Sequence, residues 1–177
     1  MTREEVYDHL FNSANISRAN VELPRAFDEQ VDHLKNKSIQ ARNAYVDYPG
    51  DTAVLLYMPN LLAKFAVFFD IHGVPIRGAD LLVPLVRMAG QAAIRRALDS
   101  ERAYQDANAT VWAHGGHPSI ADELVYIDRY FDKVMTIERA QLHNSHRNVV
   151  IDILRKVAGM ILRCIENHGI PPSLEDN

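Results

Sequence analysis

Histidines are the first residues in this chain whose type and spacing could do chemistry. His114 and His117 flank two glycines, while His143 and His146 stand three apart, a spacing that can place two metal ligands on one helix face. If the helix between the pairs is continuous, its ends lie roughly 37 Å apart, so one site within a chain cannot use both pairs. An antiparallel return would bring His168 back to His114 and His117. These three, with Glu166 as an optional fourth ligand, form our metal-site hypothesis; alternatively, they are loop and helix-end histidines in contact with water.

Acidic clusters suggest a second chemistry, that of a metal-dependent hydrolase on a helical bundle. The acids are Asp122, Glu123, Asp128 and Asp132 in one predicted helix and Asp99, Glu101 and Asp106 in another. Such an enzyme needs carboxylates on facing helices. Basic residues interleave these acids, which is equally typical of a solvated helix face stabilised by ion pairs.

Nucleophilic and cofactor chemistry find little support in the sequence. Cys164, the single cysteine, falls within an apolar helical stripe and is predicted to be a core residue. The chain contains no Gly-x-Ser-x-Gly motif and no glycine-rich phosphate-binding loop. The sequence therefore predicts no catalytic residue and no cofactor.

Arginines offer a possible contact with nucleic-acid phosphates, because the planar guanidinium can donate two parallel hydrogen bonds. The candidate row consists of Arg87, Arg95, Arg96 and Arg102. Arg87 and Arg95 would lie within about 80° of each other on a helix. The alternative is that these side chains form local ion pairs, Arg95 and Arg96 with Asp99, as Arg155 would with Asp152.

Helix-end signals indicate the elements that must position these side chains. His-Gly-Val-Pro at 72–75 returns as His-Gly-Ile-Pro at 168–171. In each, the glycine supplies the left-handed residue that ends a helix, the next residue an apolar contact, and the proline prevents the helix from resuming. Helix starts are marked by Thr2, with Glu5 three residues later, and by Ser119, with Asp122 three residues later.

Apolar periodicity predicts an all-α fold, a single-domain bundle of about five to six helices that are mostly antiparallel. The polar segment at 12–22 is expected to be irregular. The segment at 59–72 is apolar nearly all round, so it is either central in the core or partly covered by another subunit. The predicted domain spans 1–177, with a short helix at 3–12 and main helices at about 24–47, 59–72, 80–113, 119–143 and 146–168.

Composition limits the classes of protein to which the chain can belong. Its 177 residues are 47% hydrophobic and 24% charged, as in ordinary globular proteins. A net charge of -4 argues against coating nucleic acid by bulk charge. One cysteine fits a reducing compartment, and the N-terminus lacks the apolar core of a signal peptide. We expect a cytoplasmic or virion location, no secretion and no membrane partner.

Three function classes stay open from these patterns. The leading expectation is a non-catalytic, self-assembling helical subunit of virion, coat or scaffold type, a homo-oligomer that contacts nucleic-acid backbone through the arginine row. Its aromatic side chains, including Phe65, Phe68 and Phe69, would pack against other copies, or would instead form a monomer core. The alternatives are a nucleic-acid-binding or regulatory module and the metal-dependent hydrolase. A ligand-binding bundle also stays open, because pockets between helices leave no fixed sequence mark.

Overall fold

The fold is all-helical, as predicted. A computed structural model describes residues 1–47, 55–76, 89–108, 118–139 and 145–169. Within these ranges the chain forms seven helices, one or two more than expected. They are α1 (Arg3–Leu10), α2 (Ser13–Glu22), α3 (Phe27–Asp47), α4 (Tyr57–His72), α5 (Gln91–Ala107), α6 (Ile120–Arg139) and α7 (Ser145–His168).

Helix α2 accounts for the extra element, and the expectation of an irregular segment at 12–22 is wrong. Most of its residues are polar, but it has a narrow apolar stripe of Ile16, Ala19 and Leu23, which are spaced three and four residues apart. Ala19 is fully buried and Leu23 nearly so, and α2 packs mainly on α4. Tertiary packing therefore outweighs a weak local helix preference.

The predicted helix at 80–113 is broken where the structure describes it. Gly90 has a φ of 91° and precedes α5, and its N–H donates to Asp70 Oδ1 at 2.8 Å. A positive φ is incompatible with a continuing helix. The helix then ends at Ala107, where the side-chain amide of Asn108 donates to Tyr104 O. Residues 80–88 and 109–113 lie outside the described residues.

Helix α3 begins three residues later than predicted, at Phe27. The side chain of Gln30 explains the shift, because its Nε2 donates to Pro24 O at 2.8 Å and holds the preceding turn. Gln30 Oε1 also contacts His72 Nε2 at 2.6 Å, at the far end of α4. The start of α3 therefore meets the end of α4, and the two helices run antiparallel.

Helix α4 is the centre of the molecule. All residues from Met58 to Phe69 are buried except Asn60, and α4 packs against α1, α2, α3, α5 and α7. One core cluster draws side chains from all seven of the helices above. The first of the two alternatives for 59–72 is thus correct, since its own chain covers it. None of the described helices is both long and apolar enough to cross a membrane.

The two repeated helix ends are confirmed as far as the structure describes them. Gly73 and Gly169 have φ values of 73° and 75°. Val74 is fully buried, as expected for the apolar contact after the cap. Gly169 N–H donates to Ile165 O at 2.8 Å. Residues 170 and 171 lie outside the described part of the chain.

Candidate functional site

Arg95 is engaged within the chain, by helix α1. Its guanidinium lies 3.0 Å from Glu4 Oε2 and 3.6 Å from Asp8 Oδ1. The same group lies over the Tyr7 ring, 4.9 Å from the centroid. These contacts favour a structural role for Arg95, in docking α1 onto α5.

Arg102 is buried and also engaged. Its Nε donates to Glu166 Oε2 at 2.7 Å, and a second nitrogen lies 2.9 Å from Asp106 Oδ1. Arg96 is exposed on α5, and Arg87 lies outside the described residues. The structure therefore does not show the four arginines as one exposed basic surface, and their contact with nucleic acid stays a prediction.

Of the three histidines proposed as metal ligands, the structure describes only His168. Its Nε2 is buried without a hydrogen-bond partner in the described structure. His114 and His117 lie outside the residues that the structure describes, so the three-histidine site stays a prediction. Among the described residues, no three His, Cys, Asp or Glu side chains form a group that could hold a metal ion.

The acidic residues considered for hydrolysis hold helices together. Glu123 accepts from Arg163 at 2.7 and 2.6 Å, with both side chains buried between α6 and α7. Glu101 pairs with Arg155 between α5 and α7. Asp122 caps α6, bonding the backbone N–H and hydroxyl of the preceding serine. These three carboxylates are thus used by the fold.

Cys164 lies in the core, as predicted. The side chain is fully buried in α7, and burial raises the pKa of its thiol to about 12. The thiolate is the nucleophilic form of cysteine, so this position disfavours nucleophilic chemistry.

A cleft of about 660 Å³ lies between α2, α3 and α4. We call it the α2–α3–α4 cleft. Ligand-binding pockets of proteins typically span about 300 to 1,000 Å³. The lining residues are Arg18, Glu22, His33, Lys37, Gln40, Leu56, Tyr57, Asn60, Leu61 and Lys64.

Lys64 lines this cleft, and its ammonium group is buried. Its side chain is 1% exposed although it belongs to the most apolar helix of the protein. The Nζ atom donates to the carboxylate of Glu22 and, at 2.9 Å, to Asn60 Oδ1 one turn earlier. An ammonium has three donors, and these contacts use two of them. The sequence signal is a single lysine within the otherwise apolar stretch 61–69.

Glu22 is held by two cations. Lys64 bonds one carboxylate oxygen, and Arg18 Nε donates to the other at 3.0 Å. The hydrogen bonds from Lys64 and then Arg18 lower the pKa of Glu22 to about 2. Glu22 is therefore a carboxylate at neutral pH, although its side chain is 35% exposed.

His33 lines the same cleft and carries an orphaned polar atom. Its Nε2 is buried and has no hydrogen-bond partner among the described residues. Burial lowers the pKa of the imidazole, and the charges of Lys64 and Lys37 lower it further, with Glu22 opposing them. The ring is therefore neutral at pH 7. An unsatisfied buried polar atom costs about 1–3 kcal/mol, so its retention calls for an explanation.

The cleft is positive in a chain that is negative overall. Three cations, Arg18, Lys37 and Lys64, face one carboxylate, Glu22, which gives a formal local charge of +2. The whole chain carries -4. A concave surface with an excess of positive charge concentrates anions.

Comparison with known proteins gives no assignment. No protein-family model, no curated protein and no solved structure matches this chain. Function is therefore proposed from the geometry of the α2–α3–α4 cleft.

Proposed function

We propose that this chain is a non-catalytic helical protein, folded as one domain, which binds a small anionic ligand in the α2–α3–α4 cleft. One observation carries the proposal. His33, whose Nε2 is buried without a partner, and Lys64, whose ammonium is buried, both line this cleft. A neutral imidazole with its proton on Nε2 donates to an oxyanion, and Lys64 supplies the positive charge.

The other lining groups suit recognition of such a ligand. Arg18 on α2 adds a planar guanidinium group, and Lys37 on α3 adds an ammonium group on a flexible side chain. The amide of Gln40 can bond further ligand oxygens, while Leu61 provides apolar surface. A few polar groups on a partly apolar wall are typical of small-molecule sites.

Calorimetric titration with inorganic pyrophosphate at low ionic strength tests the proposal. We expect one saturable site, and binding at least about tenfold weaker in the double variant Arg18→Ser/Lys37→Ser, a loss of about 1.4 kcal/mol. The matched control is Arg96→Ser/Arg129→Ser, which removes two cations from the exposed faces of α5 and α6. Equal weakening in both variants would show that binding follows net charge and not the cleft.

The imidazole of His33 reports whether the ligand is in the cleft. In an NMR titration we expect the His33 pKa to lie below its ordinary value, and pyrophosphate to raise it, because a nearby negative charge favours the imidazolium. Lys37→Gln should also raise this pKa. A His33 titration curve that saturating pyrophosphate leaves unchanged would contradict binding at this site.

Self-association is a second proposal, as expected for a coat or scaffold subunit. The aromatic side chains that favoured it, such as Phe65 and Phe68, are fully buried in the core. What now favours it is a set of exposed apolar side chains at one end of the antiparallel α3–α4 pair. Val46 is 64% exposed, Leu56 37% and Tyr57 50%.

A further inference from the structure

We infer that Glu22 is a built-in competitor for the ligand of the α2–α3–α4 cleft, its carboxylate occupying the place at Lys64 that the ligand's oxyanion takes. This inference rests on the proposed function. The ligand class it implies is a small molecule that carries a phosphate or carboxylate group. Binding then exchanges one anion for another at the same cations.

The contacts of Glu22 are those of a bound oxyanion. One carboxylate oxygen accepts from Lys64 Nζ and the other from Arg18 Nε. Two oxygens of a phosphate or carboxylate can accept from the same two donors without rearrangement of either cation. The distance between the donors is already set by a carboxylate of that size.

The two partners differ in how easily they can leave. The Lys64 side chain is 1% exposed, whereas that of Glu22 is 35% exposed and belongs to the last residue of α2. A buried ammonium needs a counter-ion, because an unpaired charge away from water is strongly unfavourable. Glu22 can instead turn towards water, where a carboxylate is well solvated. The cation therefore stays, and the anion is the exchangeable partner.

The decisive variant is Glu22→Gln, which keeps the side-chain size and removes the competing charge. By calorimetry we expect its Kd for inorganic pyrophosphate to be about tenfold lower than that of the wild type. The matched control is Glu29→Gln, the same charge change on an exposed position of α3. We expect the control to bind like the wild type, because it leaves Lys64 paired.

A second variant keeps the test open if Glu22→Gln does not fold. Glu22→Asp withdraws the carboxylate by one methylene group, so it weakens the contact with Lys64 but keeps the charge. We expect its Kd to fall between those of the wild type and Glu22→Gln. A parallel titration with succinate should give the same order of Kd values among the variants, because a dicarboxylate would also displace the Glu22 carboxylate from Lys64. Whether pyrophosphate or succinate binds more tightly then identifies the preferred oxyanion.

The outcomes separate the two proposals. If the wild type binds and neither Glu22 variant binds more tightly than Glu29→Gln, Glu22 is no competitor, and the anion-binding cleft still stands. If neither the wild type nor any variant binds pyrophosphate or succinate, the proposed function itself fails.

Discussion

Buried arginine–glutamate pairs link helices within this core. Arg163 and Glu123 are 7% and 0% exposed and share two hydrogen bonds. Burial alone would lower the pKa of Arg163, but the hydrogen bonds and charge of Glu123 raise it above its ordinary value. Arg163 therefore stays charged, and its charge is balanced by the hydrogen-bonded Glu123.

Removing one member of this pair should be costly. We expect Arg163→Met to lower the free energy of unfolding by about 3–5 kcal/mol, because it leaves the Glu123 carboxylate buried and unpaired. The double variant Glu123→Leu/Arg163→Met should recover most of that loss, since neither charge then remains. Urea denaturation of the wild type and both variants measures these differences.

An exposed ion pair provides the contrast. Glu4 contacts Arg95 at 3.0 Å, but its side chain is 76% exposed. Glu4→Ala should therefore lower the free energy of unfolding by less than about 1 kcal/mol. If Arg163→Met lowered the free energy of unfolding no more than Glu4→Ala, the buried pair would stabilise the fold no more than an exposed pair does.

Charge spacing in the sequence predicts only the local part of these contacts. The predicted pair of Arg155 with Asp152, three residues apart, is present at 2.7 Å. Arg155 also bonds Glu101, 54 residues away. The partners found for Arg95 are on α1. Charge spacing along one helix identifies neighbours on that helix, whereas partners on other helices depend on packing that spacing does not encode.

At the scale of elements, α5 and α7 cross closely at Gly159. A Cβ built on Gly159 would lie 2.7 Å from Glu101 Cγ and 2.9 Å from Gln105 Nε2. Small side chains on α5 also favour a close approach, and Ala97 is fully buried. The residue that permits the crossing is nonetheless a glycine of the partner helix.

Gly159→Ala should be destabilising even though alanine favours a helix. The helix preference contributes up to about 1 kcal/mol in favour of alanine. Overpacking against the ion-paired Glu101 costs about 1–3 kcal/mol, so we expect a net loss of roughly 1 kcal/mol in urea denaturation. Asn167→Ala, an exposed substitution on the same helix, should be nearly neutral. A Gly159→Ala protein more stable than the wild type would show that the crossing relaxes easily.

Helix ends that carry a capping signal were predictable from the sequence. The capping contacts of Thr2 with Glu5 and of Ser119 with Asp122 are present, as is the positive φ of Gly73. Each such signal depends on residues within one turn. Helix α2 and the break at Gly90 were missed because packing on α4 and the bond to Asp70 act between distant segments.

At the scale of the molecule, the cleft illustrates why a binding site can be invisible in a sequence. Arg18, His33 and Lys64 belong to three helices and share no motif or spacing. Each alone is an ordinary residue of an amphipathic or apolar helix. Only the packing of α2 and α3 around α4 gives the three a common environment, and with it a local charge opposite to that of the chain.

Self-association is also a property of the whole molecule. If the apolar end formed by Val46 and Leu56 packs against another copy, size-exclusion chromatography with light scattering at high micromolar concentration should give a mass above that of one chain. Val46→Lys/Leu56→Lys should lower that mass, because each charge would be buried at the contact. The control is Val21→Lys, at a valine 84% exposed on α2. A wild-type protein that stays monomeric at this concentration would rule out assembly through this end.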